Sequence, residues 1–400
     1  MRNEAVRIIA SLRDAILPYA FFTHIESLTG LLDSMDSMDT IMNNTGNRYY
    51  LSRLNDGQKM VYKALLSGVM NYKEEINAPA VIPMDEVPAI YRYVLHDNPL
   101  IFYVSQFFQM GNSPGKGYII APEYKYTQSR SEEKTNAIVK YLQAFDAVKT
   151  KSDIEKEIYV HDYCLNNFHY DDELRDDSFS VVGPVFTNTA VCEGIAKFVK
   201  LALDYLGVKS LVVSGEAKDP SKGAKMESHA WNIVKIDGKT YHLDVTFDMS
   251  MKDRINRYDY FNLTDEEIKI DHAIPGNVPL CLTSGKDYYS VNSQLAHNPA
   301  ELENHIMKSL KQGEKDIVVK LLSVRDTGNI VGKVTEIVQR QYSNVYKNKS
   351  GVAIALRYNS SQMVFEININ EGIFSQNDGG LPELINRISS GIIDKLRRFP

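Results

Sequence analysis

One run of the sequence, from Thr187 to Asp248, holds three residue types that together could perform nucleophilic acyl chemistry: Cys192, His229 and Asp244. A thiol becomes an effective nucleophile when a base takes its proton, and the base works best when a third group fixes its tautomer. Here the carboxylate would orient the imidazole and stabilise its cation. The imidazole would keep the thiol ionised and later protonate a leaving amine.

Each residue needs an element to position it. Ile195, Ala196, Val199, Ala202, Leu203 and Leu206 recur at three- and four-residue steps, the period of one buried helical face, and Gly207 closes the run as a C-terminal cap. Cys192 therefore falls in the first turn, near a capping candidate at Asn188 or Thr189. The helix dipole and unpaired N–H groups there favour a thiolate. Asp237-Gly238 is a two-residue turn signal between alternating segments, so strands 229–236 and 239–246 pair antiparallel. That register sets Trp231 opposite Asp244 and makes His229 and Asp244 diagonal neighbours, with Cβ atoms roughly 7 Å apart. A one-residue change in the loop would put them on opposite faces. His242 shares the face and competes for the carboxylate, but two positions along one strand is poorer geometry. Trp231, the single tryptophan, either packs over the imidazole–carboxylate pair or serves the core.

The segments VCEGIAKFVKLALDYLGVKSLVVSGEA, HAWNIVKIDGKTYHLDVTFD and YDYFNLTDEEIKIDH, in that order, resemble the transglutaminase-like superfamily, whose fold resembles papain-like cysteine proteases. Upstream, EKEIYVHDYCLNNFHYDD is similar to the helix that precedes the cysteine segment in bacterial members. The resemblance covers residues 152 to 272. It implies that Cys192, His229 and Asp244 map onto the family's catalytic triad. It also implies attack on a carboxamide or peptide carbonyl, loss of ammonia or an amine, and a thioester resolved by water or another amine. Peptidase, deamidase and crosslinking outcomes share that intermediate, and the triad alone does not choose among them. Oxyanion stabilisation would use the backbone N–H of Cys192 and a second donor. Asn188 is the nearest polar candidate, and Trp231 is the other candidate for contact with substrate.

The expected fold class is α+β: a transglutaminase-like, papain-like core with a cysteine-bearing helix packed on an antiparallel sheet. Its 400 residues suggest a mainly helical region with a β-hairpin over 1–150, a catalytic core over 151–275 and a small α+β domain over 276–400. A hydrophobic fraction of 44% with 24% charged residues is that of a globular protein with ample core. A net charge of −6 argues against nucleic acid as a partner, and the expected partner is a protein or peptide substrate. No segment reaches the unbroken apolar length of a membrane span. Arg7, Arg13 and Asp14 interrupt any signal-peptide core, which favours the cytoplasm over an exported protein lacking its leader. Three cysteines form no even disulfide framework.

In chain order, Met1 to Asn44 reads as helical, as do Asp56–Glu75 and Asp85–Leu95, the last stopping before Asn98-Pro99. LIFYVSQFFQM and GYIIAPEYKY form a hairpin, and helices follow over Ser131–Ala147 and Asp153–Phe168. His161, Cys164 and His169 tempt a metal reading, but His161 sits on the apolar stripe and no fourth ligand has clear spacing. No metal or cofactor is expected, and no phosphate-cradling loop appears. An acidic loop over Asp171–Thr187 delivers the chain to Cys192, and a lysine-bearing loop spans Glu216–Ser228. After Pro275-Gly276 come a helix over 300–312, a strand over 315–322, a helix over 328–341, the hairpin GVAIALRYNSSQMVFEININ and a helix over 381–397. That domain could position partners, pack on the core or bind the cell envelope. Two rivals stand beside the enzyme: a non-catalytic module that kept the scaffold for binding, and a zinc site built from Cys192, His229 and Asp244.

Overall fold

The computed structural model describes residues 48–113, 117–218, 225–322, 329–347 and 352–371. The helices expected before Asn44 and over 381–397 lie outside the described residues. The described chain is α+β and divides into two compact units. One holds the residues up to His161 together with Asn167–Val212, and the other holds Asp162–Asn166 and the residues from Val213 onward.

In the first unit, α1 (Asp56–Met70) starts from a capping box, in which Asn55 and Gln58 satisfy each other's backbone N–H groups. It ends five residues short of the expected Glu75. Strand β1 (Ile76–Ala78) and helix α2 (Val87–Asp97) follow. The expected aromatic hairpin forms as β2 (Val104–Ser113) and β3 (Gly117–Tyr124), antiparallel, with β1 added on the far side of β3. Helices α3 (Gln128–Leu142) and α4 (Asp153–Asn167) come next, with Asp162–Asn166 of α4 counted in the second unit. The stretch expected as a loop over Asp171–Thr187 instead contains a 3-10 turn at Asp176–Phe179 and a short helix α5 (Val182–Thr187). Its acidic residues act locally: Asp171 accepts from Ser178 Oγ and from the N–H groups of Glu173 and Arg175, which folds the segment on itself. A two-residue parallel ladder, β4 (His169–Tyr170) with β5 (Thr189–Ala190), ties both ends together.

Helix α6 (Cys192–Tyr205) was expected to bury one face, but every residue from Gly194 to Tyr205 is buried. Its polar residues are paired inside: Lys200 Nζ reaches Asp204 at 2.7 Å and the carbonyl of Ser210 at 3.1 Å. The helix closes as expected, with Gly207 at φ +80 and Val208 N–H donating back to the carbonyl of Leu203.

From Val213 onward the second unit holds most of a five-stranded sheet of order β10-β6-β7-β8-β9, made of β6 (Ser210–Lys218), β7 (Met226–Ile236), β8 (Lys239–Leu243), β9 (Phe261–Leu263) and β10 (His272–Ala273). β7 and β8 pair in the expected register, with Asn232 opposite Leu243 and Ile233 opposite His242, around a turn at Asp237-Gly238. The returning strand stops at Leu243, short of the expected 246, because Asp244 caps a new helix α7 (Val245–Met251). The lysine-bearing loop is also shorter than expected, since strand structure extends through Lys218 and resumes at Met226. After α8 (Asp265–Ile268), a second sheet of order β11-β12-β14-β13 comprises β11 (Leu295–Ala296), β12 (Asp316–Leu321), β13 (Val352–Asn359) and β14 (Val364–Glu371). Helices α9 (Pro299–Lys311) and α10 (Ile330–Val345) pack on it through Ile306, Leu310, Val334 and Val338 against Val319 and Ile367. This matches the helix, strand, helix and hairpin expected there. No described helix is long and apolar enough to cross a membrane.

Candidate active site

Cys192 is the first residue of α6, as expected, but Val191 is the N-cap and supplies no side-chain bond. Asn188 and Thr189 are thus not the cap. Asn188 instead ends α5 in the left-handed region at φ 54, and its carbonyl accepts from His169 N–H. The start of α6 is held by Ser178, whose carbonyl accepts from Val191 N–H at 3.1 Å. Gly194 is required at the next turn: a Cβ there would sit 2.1 Å from that carbonyl oxygen. All three cysteines are free thiols, and only Cys192 is not buried. Burial pushes the Cys164 thiol far up and the Cys281 thiol up to about 12, so both stay protonated at neutral pH. Beside α6 the first unit has a cavity of about 260 Å³, lined by Phe102, Phe107, Lys125, Asp176, Glu193 and Lys197 among others. It carries both signs of charge.

His229 and Asp244 meet in the second unit. His229 Nε2 donates to Asp244 Oδ2 at 2.6 Å, as the diagonal pairing across the hairpin predicts. Asp244 is fully buried, and its other oxygen accepts Phe247 N–H at 3.0 Å, so one carboxylate both caps α7 and orients the ring. Burial alone would raise its pKa, but His229 and His272 outweigh that and hold it well below the carboxylate range. His229 keeps about a tenth of its side chain exposed. With Nε2 committed to the carboxylate, Nδ1 is the atom that would exchange a proton with a thiol.

His242 does not compete for Asp244. Its Nδ1 accepts the indole N–H of Trp231 at 3.0 Å, and its Nε2 donates to Asp265 Oδ1 at 2.9 Å. Trp231 is 1% exposed, with its ring centroid 6.0 Å from that of His229 and nearly parallel to it. It lies beside the imidazole and is also buried in the core, so both positions considered for it hold at once. Its N–H is spent on His242, so it is not an oxyanion donor. Gly215 on β6 makes room for this ring: a Cβ would lie 2.6 Å from the indole.

The residue that sequence reasoning missed is His272. Its Nε2 lies 2.9 Å from the same Asp244 oxygen, and its Nδ1 lies 2.6 Å from Asp271 Oδ1. The signal was the Asp271-His272 pair that closes YDYFNLTDEEIKIDH, but only the sheet order brings it to Asp244.

Among the described residues, two groups have ligand-type atoms within 4.8 Å of one another: His229 with Asp244 and His272, and His242 with Asp265 and Cys281. Hydrogen bonds engage both ring nitrogens of His242 and of His272 there: Nδ1 of His242 accepts from Trp231 and its Nε2 faces Asp265, while both nitrogens of His272 face carboxylates. His161 and Cys164 are fully buried within α4, and His169 is exposed on β4.

Burial pushes His242 down to about 4, outweighing Asp265. The unfolded chain therefore protonates before the folded protein does, and stability falls as pH drops from the ordinary histidine value toward 4. His242 should account for roughly 3 kcal/mol of that fall. Urea midpoints across this interval should decline less in His242→Gln than in the wild type; equal declines would contradict the assignment.

A transglutaminase-like superfamily model (Transglut_core) matches residues 126–245. A solved structure described as "Crystal structure of a TGase" is 18% identical, over 39% of this chain and 48% of that chain, with a TM-score of 0.25. The chain spans about half the length of that protein. Comparison with curated proteins gives no match. Residues 126–245, which include Cys192, His229 and Asp244, thus form a domain of the transglutaminase-like superfamily, in general a family of thiol-dependent enzymes.

Proposed function

We propose that this protein transfers or hydrolyses acyl groups of protein or peptide amides through a Cys192–His229–Asp244 triad. The observation that carries the reading is the 2.6 Å bond between His229 Nε2 and a buried, ionised Asp244. It fixes the tautomer a general base needs and leaves Nδ1 for the thiol. A thiol at the start of a helix, on a residue that is only partly buried, supports the other half. In the reaction the thiolate attacks the carbonyl carbon while His229 holds the thiol's proton. That proton passes to the leaving ammonia or amine as the C–N bond breaks. Water or an amine then attacks the thioester, gives up a proton to His229 and restores the thiol.

The oxyanion would take the backbone N–H of Cys192, with Asn188 as the proposed second donor. The acyl donor is a protein or peptide, and the domain after residue 276 is proposed to hold a partner, with the cell envelope as the candidate. Incubating the protein with casein, and with a Gln-peptide plus a primary amine, separates the outcomes: new amine termini mean peptidase, released ammonia alone means deamidase, and amine incorporation means crosslinking. No turnover of any of them by wild type, against active controls, would contradict the reading.

A further inference from the structure

His272 has no step in the triad chemistry, yet it is buried against the triad carboxylate. It sits on the edge strand β10 with its side chain fully enclosed. Its two nitrogens contact Asp244 Oδ2 at 2.9 Å and Asp271 Oδ1 at 2.6 Å. Ionised carboxylates only accept, so each contact needs a proton on the facing nitrogen, and the ring is an imidazolium. Burial pulls its pKa down, but the Asp244 and Asp271 carboxylates outweigh burial and the pKa is raised. Asp271 is itself fixed: its other oxygen accepts the Tyr260 hydroxyl at 2.6 Å, and its carbonyl accepts Lys218 N–H at 2.8 Å. Among the described residues, the titratable groups that contact the ring are Asp244, Asp271, His229 and Tyr260, and His242 is bonded to the Trp231 indole that packs against it.

One oxygen of Asp244 serves two rings. His229 reaches Oδ2 at 2.6 Å and His272 reaches it at 2.9 Å, with the two ring centroids 5.5 Å apart. We propose that His272 is a positioning residue: it locks the Asp244 carboxylate toward His229 and, as a fixed cation on the shared oxygen, limits how basic His229 becomes. This rests on the reading of His229 as the general base. When His229 takes the thiol's proton, two imidazolium rings face one carboxylate oxygen, and like charges at that separation disfavour the second proton. The proton on His229 is therefore held loosely enough to pass on to a leaving amine.

The test replaces His272 with Gln, which can still donate to Asp244 but carries no charge. Ring-nitrogen NMR of the wild type should show both His272 nitrogens protonated at neutral pH. In His272→Gln the pKa of His229 should rise by roughly one unit, and the alkaline limb of the turnover profile should move up with it. Asp271→Asn, close to isosteric, should move both in the same direction by less, and serves if His272→Gln does not fold. A neutral His272 at neutral pH overturns the proposal, as does a rate lowered equally at every pH with the limb unmoved, which is what a structural role alone would give. The NMR arm needs no substrate. A shifted His229 in a protein that turns over no amide would sink the triad reading and the positioning role with it, and leave only the charge coupling of the two rings through Asp244.

Discussion

Replacing Cys192 with alanine should abolish amide turnover, with a loss of at least about 10⁴-fold in kcat, since members of a catalytic unit fail almost completely when removed singly. The fold should tolerate the change. Cys192 is the first residue of α6 and is not buried, and the buried run that anchors the helix begins at Gly194. Alanine is a good helix former, so an unchanged melting curve should accompany the lost activity. Unchanged turnover in the variant would place the nucleophile elsewhere. Cys164 and Cys281 are poor alternatives, because both are buried and held protonated by their surroundings.

The second large effect belongs to Asp244→Asn. Asparagine is as good an N-cap as aspartate, so the bond to Phe247 N–H and helix α7 should survive. What is lost is the ionised oxygen that both His229 and His272 address. An amide cannot hold the base in its working tautomer or balance its cation. Turnover should fall by about 10⁴-fold, mainly in kcat. His229→Ala and the double variant should fall about as far as either single change, because the residues act as one unit. Losses that multiply in the double variant would show that the pair does not work together. A profile of Asp244→Asn that matches the wild type would remove the carboxylate from the mechanism.

Much of this was legible in the sequence because its causes are local. The Asp237-Gly238 turn fixes the register of β7 and β8, and that register alone brings His229 to Asp244. The helical period marks the body of α6 and Gly207 its C-terminal end, while the start rests on the distant Ser178 carbonyl. What the sequence hid depends on contacts distant along the chain. Periodicity showed one apolar face of α6, whereas the buried pairing of Lys200 with Asp204 and the Ser210 carbonyl lets the remaining faces go inside as well. His242 looked like a rival for Asp244 because strand alternation puts it on the same face. Asp265, 23 residues away, and the indole of Trp231 take both of its nitrogens instead. His272 was unreadable for the same reason: its strand joins the sheet edge beside β6, and no local pattern announces that pairing. The stretch before Cys192 looked like a loop because its 3-10 turn is held by Asp171 rather than by an apolar period, and its helix, Val182–Thr187, is too short to show one.

The central claim is that His229 activates Cys192, and the most direct measurement is the rate of iodoacetamide labelling at each cysteine under mildly acidic conditions, in wild type and in His229→Ala. Fast labelling of Cys192 in the wild type, dropping toward the rates of the other two thiols in the variant, is the predicted result. Because exposure alone could make Cys192 the quicker to label, the variant decides. An equal Cys192 rate in both proteins would contradict the account.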